Sequence, residues 1–203
     1  MFCKSLFGQI RNWLGIEGIS HLYVDNEEQY DDIINTVGEL CYSVIKRILE
    51  SGAKFDFAHF WGDICFKNGP LVTPHVFYKK VGPHYKKISE LLISHGINII
   101  SVDCDGLIDS LIPIWIDNGI NTMFPIEVGT WGGCIKPWHE KYGKVLRGIG
   151  GINKNVFAGD YAAVDKEIER LKHLVELGGI FLVQTIEYLL PQNGKMCSII
   201  VIE

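Results

Sequence analysis

A repeated pattern of glycine, apolar run and acidic residue constrains the fold of this chain most. It occurs four times, at GAKFDFAHFWGD (Gly52–Asp63), GINIISVD (Gly96–Asp103), GINTMFPIE (Gly119–Glu127) and GGIFLVQTIE (Gly178–Glu187). A glycine just past a helix tolerates the left-handed conformation that satisfies the last helical carbonyls. The apolar run then indicates a strand buried on both faces, which is typical of a parallel sheet. A carboxylate that follows such a strand lies where α/β folds place their active sites.

The order of these strands and the helices between them predicts the fold class. The predicted strands are Phe55–Gly62, Ile97–Val102, Asn121–Ile126, Lys144–Ile149 and Ile180–Thr185. Amphipathic stretches alternate with them, at residues 26–51, 74–94, 106–118 and 137–142 and from Asp160 onward. Asp25 or Asn26 is the candidate N-cap of the first stretch and Thr73 that of the second, and Asp160 opens the last. This alternation predicts an α/β fold with a parallel sheet, and no G-x-G-x-x-G or P-loop follows a strand. We therefore predict a (β/α)8 barrel of the TIM type.

The predicted barrel is incomplete, because a full one has eight units and about 250 residues. This chain has 203 residues and about five βα units, and the missing units are assigned to its N-terminal side. We predict a single domain over residues 1–203. The tail at residues 192–203, QNGKMCSIIVIE, is atypical. It is either a short edge strand or the product of a truncated or frameshifted reading frame.

Composition excludes several classes of function. The net charge of −5 gives no general attraction to nucleic acid or to an anionic membrane. No apolar stretch reaches the roughly 18 residues of a membrane helix, and the N-terminus has no continuous signal-peptide core. The six cysteines are scattered without a C-x-x-C pair, so most are expected to be reduced and buried. We predict a cytoplasmic protein.

The segment SVDCDG has the highest concentration of candidate catalytic or metal-binding side chains, because Asp103, Cys104 and Asp105 follow one strand. Side chains alternate along a strand, so the two aspartates are expected to share one direction and the cysteine to take the other. Two nearby carboxylates can act as acid and base or bind a cation. In the alternative interpretation, Asp105 caps a helix and Cys104 fills the core.

Two other strand ends carry candidate residues. Asp63 follows the first strand, and Trp61 beside it is either a stacking platform or a core residue. Glu127 follows the third strand and either orients a ligand or forms a salt bridge with a neighbouring loop. His59, inside the first strand, is interpreted as a hydrogen-bonded core histidine rather than a metal ligand.

Three stretches resemble the uroporphyrinogen decarboxylase superfamily, which includes corrinoid-linked methyltransferases that pass methyl groups to thiols such as coenzyme M. They are DFAHFWGDICFKNGPLVTPHVFYKKVGPHYKKI, HGINIISVDCDGLIDSLIPIWIDNGINTMFPIEVG and KYGKVLRGIGGINKNVFAGD, within residues 55–180. They are similar to the C-terminal part of that family's barrel. The resemblance implies either a methyltransferase that acts on a small molecule with a corrinoid protein, or a decarboxylase (lyase) of the kind used in porphyrin biosynthesis.

The resemblance also implies roles for the strand-end residues. The methyltransferase branch has a His-x-Cys zinc pair where this chain has Asp103, Cys104 and Asp105, so the histidine is missing. We assign Asp103 and Cys104 as ligands of a zinc ion, and Asp63, Asp105 and Glu127 as catalytic residues. A decarboxylase would need no cofactor. The remaining alternative is an inactive or truncated barrel fragment that needs a partner chain to fold. An open barrel exposes apolar strand edges, so self-association into a homo-oligomer is also expected.

Overall fold

The computed structural model describes residues 1–183, and the chain divides into two compact units. The first unit is Met1–Thr122, and the second begins at Met123. The single domain expected over residues 1–203 stays a prediction. Glu187 and the tail at residues 192–203 lie outside the described residues.

Two long helices open the first unit: α1, Phe7–Asp25, and α2, Glu27–Glu50. Helix α2 confirms the helix predicted over residues 26–51. The side chain of Asn26 caps it by accepting a hydrogen bond from the backbone N–H of Gln29 at 3.1 Å. The sequence patterns did not predict α1.

The first two long strands of the unit are parallel and paired. Strand β1, Phe57–Trp61, aligns with β4, Ile99–Asp103, from the Phe57–Ile99 pair to the Trp61–Asp103 pair. Both confirm predicted strands. Because the two parallel strands pair residue for residue over their whole length, their carboxyl ends lie side by side at one edge of the sheet. That edge carries the segments that follow Trp61 and Asp103.

The N-terminal residues extend this sheet on the other side of β1. The backbone N–H of Cys3 donates to the carbonyl of His59 at 2.7 Å, and that of His59 donates to the carbonyl of Met1 at 2.9 Å. Phe2 forms a parallel bridge with His59, and the N–H of Trp61 donates to the carbonyl of Lys4 at 3.0 Å. Residues 1–4 therefore act as a strand in front of α1, which the sequence did not predict.

The segment between β1 and β4 contains a small hairpin and a continuous helical stretch. The hairpin pairs β2, Cys65–Phe66, with β3, Gly69–Pro70, and the sequence patterns did not predict it. The helical stretch consists of α3, Pro74–Val76, a π-helical turn at Phe77–Val81, and α4, Gly82–Ser94. Thr73 caps α3, as predicted, by accepting from the N–H of Val76 at 3.4 Å.

The helix predicted over residues 106–118 is shorter than expected. Helix α5 spans Ile112–Asp117, with Pro113 in its first turn. Because Leu111 holds the N-cap position of α5, Asp105 does not cap this helix. The alternative interpretation of Asp105 as a helix cap was therefore wrong.

Aromatic rings fill the core of the first unit. Phe60 of β1 contacts Tyr85 of α4 edge to face, with ring centroids 5.1 Å apart. Phe77 contacts Trp115 of α5 in the same manner at 6.1 Å, and all four side chains are buried. Such contacts stabilise a core beyond the apolar area that they bury.

The second unit also combines helices with parallel strands. Its first strand is β5, Thr122–Ile126, which begins one residue before the boundary of the unit. The other elements are α6, Val128–Trp131; α7, Ile135–Tyr142; β6, Arg147–Gly151; a 3₁₀ turn, Lys154–Ala158; α8, Tyr161–Leu177; and β7, Ile180–Val183. Strands β6 and β7 are parallel, and Asp160 caps α8 as predicted by accepting from the N–H of Ala163 at 2.9 Å.

The described chain is thus mixed α/β, and the longer strands pair in parallel, as predicted, whereas the short β2–β3 hairpin is antiparallel. Closure into a barrel stays a prediction. Among residues 1–183, no helix has the length and apolarity needed to cross a membrane.

Candidate functional site

Three predicted site residues lie together at the carboxyl ends of β1 and β4. The backbone N–H groups of Gly62 and Asp63 both donate to the carbonyl oxygen of Asp103, at 2.6 and 3.3 Å. The backbone N–H of Asp105 lies 3.5 Å from Oδ1 of Asp63. These contacts fix the three carboxylate-bearing residues in one small region.

Asp63 has an unusual backbone conformation that its side-chain contacts help to hold. Its φ angle is +48°, in the left-handed region that residues other than glycine seldom adopt. The indole Nε1–H of Trp61 donates to Oδ2 of Asp63 at 2.7 Å. Strained backbone of this kind is concentrated at functional sites. The half-buried Trp61 therefore orients the Asp63 carboxylate, a role that fits neither of its two predicted interpretations.

Exposure alternates along Asp103, Cys104 and Asp105, as the strand pattern predicts. Asp103 is half-buried and Asp105 exposed, whereas Cys104 is 1% exposed. Sγ of Cys104 accepts the backbone N–H of Ile64 at 3.4 Å. A hydrogen bond with Cys104, together with burial, raises the pKa of the neighbouring Cys65 thiol. Cys104 thus faces the core.

The described residues do not by themselves fit the predicted zinc site. In residues 1–183, no three histidine, cysteine, aspartate or glutamate side chains are clustered so that they could hold a metal ion. A structural zinc ion takes four ligands and a catalytic one usually three from the protein, with any cysteine as thiolate. Asp103 and Cys104 therefore stay predicted ligands.

Glu127 lies in the second unit, directly after β5. It occupies the N-cap position of α6 and is half-buried. Its carbonyl oxygen accepts the N–H of Gly133 at 2.9 Å, which folds the segment after α6 back onto the strand end. Its catalytic role stays a prediction.

The glycines of RGIGGIN are explained by close packing inside the second unit. Gly150 has a φ angle of +121°, and a Cβ atom there would lie 2.6 Å from the backbone nitrogen of Ile126. No other residue could take this conformation at that distance without moving β5. The close contact with β5 therefore explains the glycine at position 150.

A buried ion pair at the end of β6 had no signal in the sequence. Glu167 of α8 is 7% exposed and accepts the backbone N–H of Asn153 at 2.7 Å. Arg170 donates from Nε to Oε2 of Glu167 at 2.7 Å and from Nη2 to the carbonyl of Gly151. The pair therefore ties α8 to the loop that follows β6. A glutamate three residues before an arginine is common on exposed helix faces, so the pattern alone does not reveal this role.

Glu167→Gln is expected to lower the free energy of unfolding by about 1.5–3 kcal/mol, because a charged partner of Arg170 and of the Asn153 N–H is lost from a buried position. Urea unfolding at pH 7 measures this change. The matched control is Glu169→Gln on the same helix, where the glutamate is 69% exposed and pairs with Lys172. We expect the control to change stability by less than about 0.5 kcal/mol. Equal effects of the two substitutions would contradict the prediction.

The same pair gives a pH dependence. Burial raises the pKa of Glu167, but hydrogen bonds from Arg170 and the Asn153 N–H lower it, and the net pKa lies below the ordinary value of glutamate. The stabilisation is therefore complete above the unfolded pKa, about 4.3, and is lost as the pH falls through the lower folded pKa. Urea unfolding at pH 7 and at pH 3 measures this effect. The free energy of unfolding should decrease less on acidification in Glu167→Gln than in the wild type.

His59 is a hydrogen-bonded residue of the sheet, as predicted. Its Nδ1 lies 2.8 Å from Oγ of Ser101 on β4, and burial lowers its pKa.

Comparison with known proteins shows a similarity of fold. No model of a known protein family matches the chain, and no curated protein matches it either. A solved structure of a methyltransferase from Methanosarcina mazei is similar, with a TM-score of 0.64 and 15% sequence identity. The similarity covers 86% of this chain and 48% of the other, so this chain spans about half the length of that protein. At this identity the similarity shows that the two chains share a fold.

Proposed function

We propose that this chain carries a methyl-transfer site, in which a small-molecule acceptor receives a methyl group from a donor held by a corrinoid protein. The observation that carries the proposal is the joining of Asp63, Asp103 and Asp105 at the ends of β1 and β4. Fold similarity to a methyltransferase supports it. Membership of the uroporphyrinogen decarboxylase superfamily is part of the same proposal and rests on the sequence resemblance.

In this proposal Asp105 and Asp63 have separate roles. The acceptor, a thiol or another weak acid, loses its proton to Asp105, whose exposed side chain can meet a substrate. The acceptor's lone pair then forms the new bond to the methyl carbon, and the donor leaves with the electrons of the broken bond. Asp63, oriented by Trp61, holds the acceptor in position. The catalytic role of Glu127, in the second unit, rests on the sequence resemblance and stays a prediction.

The test is methyl transfer from methylcobalamin to 3-mercaptopropionate. Cobalamin absorbance follows the loss of the donor, and mass spectrometry detects the methyl thioether. We expect product to form faster with the protein than in a protein-free control. A folded protein that leaves the rate unchanged would overturn the proposal. Light scattering on the same sample tests the predicted homo-oligomer.

Metal analysis of the purified protein tests the predicted zinc ion, beside the variants Asp103→Ala and Cys104→Ala. About one zinc ion per chain, lost in both variants, would place the metal at this strand end. No zinc in the folded wild type would assign Cys104 to the core and leave the chemistry to the carboxylates.

A further inference from the structure

Arg11 of α1 lies beside the candidate site. Cζ of Arg11 lies 5.8 Å from the ring centroid of Trp61, the residue whose indole holds Asp63. A guanidinium within about 6 Å of a tryptophan face is attracted by the negative face of the ring. Arg11 and Asp63 are therefore held near the same side chain.

The packing of α1 explains how Arg11 reaches this position. Gly8 precedes it by three residues, so the two lie on the same side of the helix. Gly8 packs against the end of β1 so tightly that a Cβ atom there would lie 2.1 Å from the carbonyl oxygen of Gly62. The first turns of α1 are therefore seated on the strand end that carries Trp61.

In the part of the chain that the structure describes, the guanidinium of Arg11 forms no ion pair with a carboxylate. Its Nη2 donates to Oδ1 of Asn12 at 3.0 Å. A guanidinium has five N–H donors, so most of them remain for a ligand. The oxygens of nearby Asp63 are directed at the Trp61 indole and the Asp105 backbone.

We propose that Arg11, supported by Trp61, binds a carboxylate group of the substrate, an inference that rests on the proposed function. The planar guanidinium fork matches the two oxygens of a carboxylate. The substrate is thus a small acceptor with a carboxylate at one end and the group that receives the methyl at the other. Arg11 is a specificity residue, and Asp63 and Asp105 act at the reacting end.

Equilibrium binding tests the subsite without requiring catalysis. Isothermal titration calorimetry compares 3-mercaptopropionate with 3-mercaptopropanol, which replaces the carboxylate by a hydroxyl group. We expect Arg11→Met to weaken binding of 3-mercaptopropionate roughly 10- to 100-fold and to leave binding of 3-mercaptopropanol unchanged. Arg11→Lys should recover part of the loss, because it keeps the charge but not the fork. Arg47→Met, at the exposed end of α2, is the matched control and should bind both compounds as the wild type does.

Three results would overturn the subsite: equal affinity of the wild type for the two compounds, an equal loss for both in Arg11→Met, or the same selective loss in Arg47→Met. A structural role of Arg11 alone would produce the second result. Carboxylate binding that depends on Arg11, without any methyl transfer, would overturn the proposed function but support the subsite. Methyl transfer without carboxylate preference would overturn the subsite alone.

Discussion

Gly8→Ala is expected to lower the free energy of unfolding by about 3 kcal/mol, the upper end of the usual range for overpacking. Alanine in a helix is normally more stable than glycine by about 1 kcal/mol. Here the added Cβ would lie 2.1 Å from the carbonyl oxygen of Gly62 and 2.6 Å from Oγ of Ser5. The Gly62 oxygen belongs to the backbone at the end of β1, so moving it would disturb the strand. Relief of the clash must therefore shift α1.

Gly18→Ala is the matched control, because Gly18 lies in the same helix on an exposed turn. The nearest atom to a Cβ at Gly18 is Cβ of Leu14 at 3.6 Å, an ordinary contact. We expect this variant to gain about 0.5–1 kcal/mol, since only helix propensity acts. Urea unfolding followed by circular dichroism measures both. If Gly8→Ala proved as stable as Gly18→Ala, the seating of α1 on the strand end would be wrong.

The elements that the sequence predicted well are those with local signals. The helices α2, α3 and α8 begin at the predicted capping residues Asn26, Thr73 and Asp160. A cap acts through a hydrogen bond to a backbone group two or three residues away, so its signal is present in the sequence itself. The buried strands also have local signals, because a run of apolar residues between a glycine and a carboxylate fits few other structures.

The N-terminal strand and α1 could not be predicted in the same way. Residues 1–4 are strand-like because their backbone pairs with that of β1, more than 50 residues later in the chain. Helix α1 contains Gly15 with a φ angle of +70°, and Trp13 and Leu14 before it are exposed. The kink and the exposed apolar residues interrupt the amphipathic stripe on which helix prediction depends.

The candidate site shows the same division between local and long-range information. Parallel strands predicted that Asp63 and Asp103 would share an edge, and strand alternation predicted that Cys104 would point away from Asp103 and Asp105. The contacts of Arg11 with Trp61 and of Cys65 with Cys104 join separate elements, and neither pair has a recognisable spacing. Such contacts depend on how helices and loops pack, which a single sequence does not specify.

Asp105→Asn is expected to lower kcat for methyl transfer by about 10²–10⁴-fold, the usual contribution of a general base. An asparagine amide has nearly the shape of the carboxylate but cannot take the acceptor's proton. Because Asp105 is exposed and asparagine has nearly its shape, the substitution should change the unfolding free energy by no more than about 1 kcal/mol. The loss is therefore expected in kcat with little change in stability. Steady-state kinetics with methylcobalamin and 3-mercaptopropionate, beside urea unfolding, measure both quantities.

The pH profile distinguishes a base from a residue that only shapes the site. If Asp105 takes the proton, kcat of Asp105→Asn should recover at a pH high enough to ionise the thiol in solution, since the base is then unnecessary. A structural role gives a loss that does not depend on pH. Asp56→Asn is the control, because Asp56 is exposed and precedes β1, at the opposite end of the strand from Trp61. An equal loss in Asp56→Asn, or a loss below about 3-fold in Asp105→Asn, would remove Asp105 from the reaction.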